Sequence, residues 1–292
     1  MTQAAFIGID WGTTNRRSYV MAADGTVLRT ERDDRGLRAV PNGKFAQEAA
    51  AIRARLGDLP MLCAGMVGSV KGWAAAPYVP CPTDLEALAS RLTWVEMGRT
   101  AIVPGVSLVN PERSDVMRGE EVQLLGAVVA GLVPPDALLC QPGTHCKWAW
   151  MEAGAIGSFR TSMTGELFAL LRNHSLLSDY LGAPVAIGDA FRSGLQTAAK
   201  GTLLGSLFGE RAAALLGQIA PDDLAAHTSG LLIGSDVREQ AIGPDDTVYI
   251  LSDPALGAFY GTAIEQVGAK SQLVDSHAAF AAGIAAIWRH IQ

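Results

Sequence analysis

The chain has 292 residues, which is enough for one large domain or two medium-sized ones. Hydrophobic residues make up 49% and charged residues 18%, so the chain can bury substantial cores and does not have the composition of a disordered protein. Its formal net charge is −6 and no run is rich in lysine or arginine, which argues against a nucleic-acid partner.

Two further features bear on where the protein works. No run of about 18 apolar residues occurs, and the first residues lack a signal-peptide pattern, so we expect no membrane span and no secretion. The four cysteines, Cys63, Cys81, Cys140 and Cys146, form no C-x-x-C pair, which is typical of free thiols in a reducing compartment. We therefore expect a soluble cytoplasmic protein that binds no membrane; a homodimer is left open.

The first part of the chain predicts a sheet that opens with an antiparallel hairpin pair. Strands are expected at 6–10, 17–22, 27–29, 61–64 and 100–103. Helical periodicity covers 45–56 and then runs from Glu120 to about Leu132, before two prolines. Residues 65–82 form a long loop with several Gly and Pro residues, and loops of that length are often functional.

The second part repeats this plan of a strand, a tight turn, a strand and then helices. Strands are expected at 137–141, 147–151, 156–161, 247–251 and 272–274, and helices over most of 163–242, 255–267 and 277–291. Two such halves predict a two-lobed α/β protein with an N-terminal lobe, 1–133, and a C-terminal lobe, 134–292. Ligands of α/β folds tend to bind in crevices of this kind.

The first chemical motif is Gly8-Ile9-Asp10-Trp11-Gly12-Thr13-Thr14-Asn15, a strand that ends in a carboxylate followed by a turn of Gly and hydroxyl residues. Successive backbone N–H groups in such a turn form an anion-binding concavity, and Gly lets the backbone approach phosphate oxygens closely. Asp10 would meet phosphate only through Mg²⁺. The alternative is an ordinary hairpin with a Gly turn.

The second motif is Gln141-Pro142-Gly143-Thr144-His145-Cys146-Lys147-Trp148, again a Gly-Thr turn between strands. Two such turns, one in each half, could hold a polyphosphate from both sides. His145 and Lys147 could each meet phosphate, and Lys147 could equally be an exposed strand residue.

Two helix starts carry further candidates. Glu120 and Glu121 follow Asp115, Arg118 and Gly119; either they cap the helix dipole, or one is a general base aimed from a rigid helix. Near the end of the chain, a strand, a small polar turn over 252–257 and a helix would suit an adenosine pocket.

Together these motifs resemble the actin/hexokinase/Hsp70 superfamily of ATP-dependent phosphotransferases, and within it the 2-keto-3-deoxygalactonate kinases. The markers are I-D-W-G-T-T-N-x-R at 9–17, A-G-M-x-G-S at 64–69, D-V-M-R-G-E-E at 115–121, P-G-T-H-x-K-W at 142–148 and S-M-T-G-E-L-F at 162–168. The resemblance implies a two-lobed α/β fold of the ribonuclease H-like, actin/hexokinase type, with a central cleft for ATP and substrate. Helix 277–291 would pack near the hinge.

The resemblance also implies residue roles. Asp10 matches the metal-binding acid of the first phosphate loop, and a G-D-Q triplet of related sugar kinases matches Gly119-Glu120-Glu121, which makes Glu120 the expected base and Asp115 the second choice. The nucleotide is expected to contact Gly12, Thr13, Thr14, Asn15, Gly143, Thr144, His145, Lys147, Ser252, Asp253 and Gly257. The sugar acid is expected to contact Ser69, Lys71, Trp73, Arg118 and Glu166.

The implied reaction is phosphorylation of 2-dehydro-3-deoxygalactonate on its 6-hydroxyl by ATP with Mg²⁺, in sugar-acid catabolism. Two alternatives stay open at this stage. One is another sugar or amino-sugar kinase of the superfamily, and the other is a non-catalytic ATP-binding switch. No Walker A pattern occurs in the chain, which excludes a P-loop kinase.

Overall fold

The computed structural model describes residues 2–111 and 113–292, and the chain forms two compact units. The first unit contains the chain up to Ala137, Ala149–Arg160 and Val274–Gln292. The second contains Leu138–Trp148 and Thr161–Leu273. The chain therefore enters each unit more than once, and a single cut near residue 133 does not describe this grouping. That the lobes 1–133 and 134–292 have separate binding functions stays a prediction.

The first unit contains a large sheet of six strands and a small sheet of three strands. Its strands are β1 Ala4–Trp11, β2 Arg16–Ala22, β3 Val27–Asp33, β4 Met61–Gly65, β5 Tyr78–Pro80, β6 Thr93–Glu96, β7 Thr100–Ile102, β8 Gly105–Val109 and β9 Ser114–Met117. The large sheet has the order β3-β2-β1-β4-β7-β6, and the small one the order β5-β8-β9. Strands β1, β4 and β7 are parallel, so their carboxyl ends share one edge.

The predicted opening of three antiparallel strands is confirmed, and its register aligns charged residues. Asp10 on β1 is paired with Arg17 on β2, and Arg17 is paired with Arg32 on β3. Directly paired residues in antiparallel strands project to the same face of a sheet. The three side chains therefore lie in a row on one face, next to the turn that joins β1 to β2.

The helices of the first unit are α1 Phe45–Leu56, α2 Leu85–Ala89, α3 Glu120–Val129 and α9 Ser276–His290. Helices α3 and α9 cross so closely that a Cβ on Gly126 would stand 2.0 Å from the Ala279 carbonyl oxygen, and one on Gly283 would stand 2.1 Å from the Val122 carbonyl oxygen. The absence of side chains at Gly126 and Gly283 is therefore what lets these two helices approach. The closing helix α9, assigned to the second lobe from sequence, packs within the first unit.

Two details of the first unit differ from the sequence prediction. Strand β5 lies in the segment 65–82, which is predicted as a loop, and no element is predicted where β6, β8 and β9 lie, because strands of three to five residues carry too little periodicity to be detected. Helix α3 ends at Val129, three residues early: Gly131 adopts φ 66° and Leu132 N–H donates to the Ala127 carbonyl, which closes the helix before the prolines.

The other large sheet has the strands β10 Ala137–Gln141, β11 Cys146–Glu152, β12 Ala155–Ser162, β13 Thr247–Leu251 and β14 Lys270–Val274, in the order β12-β11-β10-β13-β14. The first unit includes β11 from Ala149 on and β12 up to Arg160, and the second unit contains most of the rest of this sheet and the helix-rich segment. Its helices are α4 Thr164–His174, α5 Asp189–Lys200, α6 Leu203–Leu215, α7 Leu224–Arg238 and α8 Pro254–Gln266. Helix α7 is buried along nearly its whole length and is the core of this unit. In the part of the chain that the structure describes, no helix has the length and apolar character needed to cross a bilayer.

Candidate functional site

The turn between β1 and β2 encloses a pocket of about 250 Å³ in the first unit. The pocket is lined by Asp10, Gly12, Thr13, Thr14, Asn15, Arg16, Arg17 and Arg32. The Gly12 N–H donates to the Asn15 carbonyl at 3.0 Å, which closes the turn. Thr13 is half-buried, whereas Thr14 and Asn15 are exposed. The predicted first phosphate turn therefore forms a concavity with two hydroxyls at its rim.

A neighbouring segment fixes the shape of this turn. The N–H groups of Gly36, Leu37 and Arg38 donate to the carbonyls of residues 14, 12 and 13 at 3.2, 2.9 and 3.1 Å. A Cβ on Gly36 would stand 2.4 Å from the carbonyl carbon of Thr14, so only glycine allows this approach. The turn is therefore held through its carbonyls on that side. The Thr14 hydroxyl accepts from Asn15 Nδ2 at 3.1 Å, and its proton and the Thr13 hydroxyl are left for a ligand.

The three arginines at the pocket differ in their partners and in their exposure. Arg16 is 1% exposed and forms ion pairs with Asp33 at 2.6 Å and Glu48 at 3.2 Å, so its charge is neutralised beneath the turn. Arg17 donates to the His277 ring at 2.8 Å, and Arg32 is exposed. Cations beside backbone N–H groups make this pocket suited to anions.

Asp10 lies at the carboxyl end of β1, on the pocket wall. Removal of its carboxylate from water raises its pKa to about 6; Arg17 lowers the pKa and Glu120 raises it. The effect of Glu120 indicates that the charges of Asp10 and Glu120 act on each other. Carboxylates with perturbed pKa values beside a pocket are candidates for function.

The start of α3 is drawn against the ends of β1 and β4 by two glycines. A Cβ on Gly65, which has φ 96°, would stand 2.8 Å from the Trp11 carbonyl oxygen, and one on Gly119, with φ 106°, would stand 3.0 Å from Gly65 Cα. Both positions also need the left-handed backbone that favours glycine. This close approach brings Glu120 to the edge of the sheet that carries Asp10.

The two glutamates at the start of α3 have different surroundings. Glu120 is half-buried, and its Oε2 accepts a hydrogen bond from the Arg118 N–H at 3.0 Å. Glu121 is fully buried, and both of its oxygens accept from the Gly119 N–H, at 2.8 and 2.7 Å. Burial, and next the charge of Glu120, raise the pKa of Glu121 to about 8. Glu121 thus caps the helix from inside, while Glu120 is the acid with partial access to solvent.

Asp115 lies apart from this arrangement, on β9 of the small sheet. Its Oδ2 accepts from Arg113 at 2.8 Å and its Oδ1 from the Val116 N–H at 2.8 Å. With both oxygens bonded locally, the side chain has a structural partner, which weakens its case as the base.

The loop after β4 holds the residues that were predicted to contact the sugar acid. The Trp73 ring is stacked at 6.5 Å from Phe45 and packs against the core of the first unit, and Lys71 is exposed. The hydroxyl of Ser69 is buried without a hydrogen-bond partner. Arg118 donates to the Ala76 carbonyl at 2.7 Å and covers the Tyr78 ring. Ser69 and Arg118 are therefore the polar members of this loop region with unused bonding capacity.

The second Gly-Thr turn lies in the second unit, between β10 and β11. Gly143, Thr144 and His145 are exposed, and His145 Nε2 is 2.6 Å from Glu166 Oε2. The Glu166 N–H donates to the Thr144 carbonyl at 2.8 Å, and a Cβ on Gly165 would stand 2.4 Å from the Gly143 carbonyl oxygen. The start of α4 therefore supports this turn. The structure brings Glu166, predicted to bind sugar hydroxyls, into contact with His145.

Lys147 does not have the exposed position that was one of its two interpretations. Its side chain is buried and its ammonium group donates to Thr161 Oγ1 at 2.8 Å. Its predicted contact with phosphate stays a prediction.

A second pocket, of about 130 Å³, adjoins this turn and is mainly apolar. It is lined by Gly143, Thr164, Gly165, Phe168, Ser229, Leu232, Ile233, Leu256 and Tyr260. Buried Asp236 lies beneath it and accepts hydrogen bonds from Trp148 Nε1, Thr164 Oγ1 and Tyr260 Oη at 2.9, 2.8 and 2.9 Å. An apolar pocket with fixed polar groups suits a flat heterocycle.

The predicted adenosine turn lies next to this pocket, to which it contributes Leu256. Asp253 accepts from the N–H groups of Ala255 and Leu256 at 3.0 and 3.1 Å, so it caps α8. The hydroxyl of Ser252 is buried without a partner, and Gly257 is buried against Leu273. Of the three predicted residues, Ser252 has a hydroxyl that could bind the nucleotide, whereas the Asp253 carboxylate is already used to cap α8.

Three residues of these sites were not given a role from the sequence, and the burial of a fourth was not predicted. Arg17 and Arg32 line the first pocket, Asp236 organises the second, and Glu121, a candidate cap or base, is the buried acid of α3. The register of the predicted hairpin could have placed Arg17 opposite Asp10. The burial of Glu121 and Asp236 depends on tertiary packing, for which the local sequence has no signal.

Comparisons with known proteins agree with this architecture. A model of the 2-keto-3-deoxy-galactonokinase family matches residues 10–287. A protein of Escherichia coli K12 named 2-dehydro-3-deoxygalactonokinase is 36% identical over 293 residues, which is 97% of each chain. The crystal structure of a Sinorhizobium meliloti protein, provisionally assigned the same activity, aligns with a TM-score of 0.90 at 33% identity and covers 98% of this chain and 99% of that one.

A more distant structure shares the fold alone. The activator of the 2-hydroxyisocaproyl-CoA dehydratase from Clostridium difficile, solved with bound ADPNP, aligns with a TM-score of 0.51 at 10% identity and covers 99% of this chain and 95% of that one. The fold is that of the actin/hexokinase superfamily, and the class of protein is a carbohydrate kinase that uses ATP. Within that class, the chain belongs to the 2-keto-3-deoxy-galactonokinase family, as its motifs predicted.

Proposed function

We propose that this protein transfers the terminal phosphoryl group of ATP to the 6-hydroxyl of 2-dehydro-3-deoxy-D-galactonate, in the breakdown of sugar acids. The observation that carries the proposal is the pocket at the Gly12–Asn15 turn, with Asp10 on its wall and the charge of Glu120 acting on Asp10. A cytoplasmic location is part of the proposal, since all four cysteines are free thiols.

The phosphates would be bound by the two Gly-Thr turns. In the first, Gly12, Thr13, Thr14 and Asn15 line the pocket beside Arg17. In the second, Gly143 and Thr144 are exposed at the turn, next to an apolar pocket that would receive the base of the nucleotide. Phosphoryl transfer depends mainly on positioning and charge stabilisation, which rigidly braced turns supply.

Asp10 is the proposed ligand for Mg²⁺. The ion typically uses one or two carboxylates together with substrate phosphate oxygens, so a single acid beside an anion pocket fits it. When bound, Mg²⁺ would neutralise part of the phosphate charge. The raised pKa of Asp10, about 6, leaves the carboxylate ionised at neutral pH, as this role requires.

Glu120 is the proposed general base. It begins a helix that is locked against β1 and β4, and only its Oε2 accepts a hydrogen bond within the described residues, which leaves Oε1 for the proton of the sugar hydroxyl. Asp115, the second choice, is paired with Arg113. The proposed sugar-acid contacts are Ser69, Lys71, Trp73, Arg118 and Glu166.

The test is an assay of ADP release across a panel of substrates, with NMR identification of the phosphorylated carbon. We expect turnover with 2-dehydro-3-deoxy-D-galactonate, phosphorylation at carbon 6, and much lower kcat/KM with neutral hexoses and amino sugars. Preference for a neutral or amino sugar would replace the proposed substrate. Slow ATP hydrolysis that no sugar stimulates would contradict a catalytic function.

A further inference from the structure

The guanidinium group of Arg118 is held rigidly in the first unit, where β9 leads into α3. Its Nη2 donates to the Ala76 carbonyl at 2.7 Å, and its Cζ lies 4.4 Å from the centre of the Tyr78 ring. A Cβ on Gly68 would stand 2.8 Å from Nη1, so a glycine at 68 is needed to admit this group. These contacts fix the orientation of the side chain without neutralising its charge.

Three hydrogen-bonding atoms around this group have no partner. Nε and Nη1 of Arg118 and Oγ of Ser69 are buried without a hydrogen bond. Ser69 directly follows the glycine that contacts Nη1, so these atoms belong to one small region. Within the described residues Arg118 forms no ion pair; its charge lowers the pKa of buried Glu121, whose two oxygens are both bonded to the Gly119 N–H. Buried charged donors without partners are costly, which indicates that a ligand supplies the missing acceptor.

We propose that Arg118 and Ser69 bind the carboxylate of the sugar-acid substrate and are the residues that select acids over neutral sugars. The inference rests on the proposed function and assigns its specificity. A carboxylate accepts short, charge-assisted bonds from a guanidinium group and a further bond from a hydroxyl. The unpaired N–H groups of Arg118 are cationic and the Ser69 hydroxyl is a further donor, so together they suit an anion with two oxygens.

The position in the chain agrees with a substrate rather than a nucleotide contact. The backbone N–H of Arg118 donates to Glu120, the proposed base, whereas the guanidinium group, at the far end of the side chain, lies at Ala76 and Tyr78. The sugar acid likewise has its reacting hydroxyl at one end of the carbon chain and its carboxylate at the other. Arg118 is also absent from the lining of the phosphate-turn pocket. Lys71 is exposed to water, where an ammonium charge is strongly hydrated and selects weakly.

The experiment compares 2-dehydro-3-deoxy-D-galactonate with the neutral ketose in which a hydroxymethyl group replaces the carboxylate. Steady-state constants are measured for the wild type, Arg118→Met, Ser69→Ala and the control Arg91→Met, which removes an exposed arginine of the same unit. We expect Arg118→Met to lower kcat/KM for the acid by about 10- to 100-fold, mostly through KM. Ser69→Ala should reduce it by a smaller factor, whereas turnover of the neutral ketose and the KM for ATP should change less than about threefold.

The outcomes separate this inference from the proposed function. If the wild type turns over no sugar acid, the proposed function fails. If it turns over the acid, and Arg118→Met keeps the wild-type preference for acid over ketose, the carboxylate site is wrong and the proposed function stands. A rise in the KM for ATP alone would assign the group to nucleotide phosphate and overturn the inference. Should Arg118→Met not fold, Ser69→Ala decides, and an unchanged preference in that variant overturns the proposal.

Discussion

The proposed role of Asp10 requires an ionised carboxylate, and burying that charge lowers the stability of the fold. Its carboxylate is removed from water far enough to raise its pKa from 3.8 to about 6. Between these two values the folded chain binds more protons than the unfolded chain, so the free energy of unfolding falls as pH rises through this window. The loss is complete above about pH 6, where the proposed metal ligand is ionised.

Replacement of Asp10 by Asn should therefore abolish turnover and strengthen the fold. We expect Mg²⁺-dependent kcat to be lost, while the free energy of unfolding without ligands rises by about 1–3 kcal/mol at pH 7, because no charge is buried. The gain should vanish near pH 4. Urea unfolding at both pH values and kinetics at pH 7 measure this. Near-normal kcat would remove Asp10 from the mechanism, and equal stability at pH 7 would refute the burial argument.

The two candidate bases can be separated by matched amide substitutions. Glu120→Gln should lower kcat by about 10²- to 10⁴-fold, because it removes the proton acceptor and keeps the side-chain shape. Asp115→Asn should change kcat less than about fivefold, since Asp115 is engaged with Arg113 and the Val116 N–H. The reverse ranking would exchange the two assignments.

At the scale of elements, the crossing of α3 and α9 controls where Glu120 stands. The two helices touch through backbone atoms at Gly126 and Gly283. Backbone atoms cannot move aside by changing rotamer as a side chain can, so a Cβ added at either glycine must push the two helices apart.

Gly126→Ala should therefore destabilise the protein by about 1–3 kcal/mol in urea unfolding. Gly209→Ala on exposed α6 is the matched control, because a Cβ there would meet nothing within 4 Å. That control should raise stability by about 0.4–1 kcal/mol through the unfolded chain. If the two variants behave alike, the crossing is not as close as described.

The sequence predicts elements well where local signals are strong. Helix α1 has the predicted bounds, and the hairpin strands have the predicted order. The β5-β8-β9 sheet escapes prediction because its strands are short, and because β5 is defined by pairing with β8, which lies far along the chain. The two alternatives for Glu121, a cap of the helix dipole and a general base, could not be separated for the same reason: an acid in the first turn of a helix favours a cap, and only packing decides that it is buried.

At the scale of the whole molecule, the chain forms two compact units, and each carries one Gly-Thr turn. The hypothesis that both turns serve the same nucleotide comes from family membership, since each turn is built within its own unit. Asp10, near the end of β1, leads into the first turn, whereas Gln141 and Pro142 lead into the second, so the two turns are not equivalent. We expect both to bind phosphate, and the first alone to bind the metal ion.

This hypothesis predicts a pattern across two isosteric substitutions. Thr13→Val and Thr144→Val should each raise the KM for ATP by about 10- to 100-fold, because each removes a hydrogen bond to a charged group. The KM for the sugar acid should change little, and Thr26→Val, at an exposed turn of the first unit, is the control. In the double variant, effects that fail to add would indicate coupling through one bound nucleotide. If Thr144→Val leaves the KM for ATP within twofold of the wild type, the second turn does not bind phosphate through this hydroxyl, and the nucleotide is held by the first unit together with other groups.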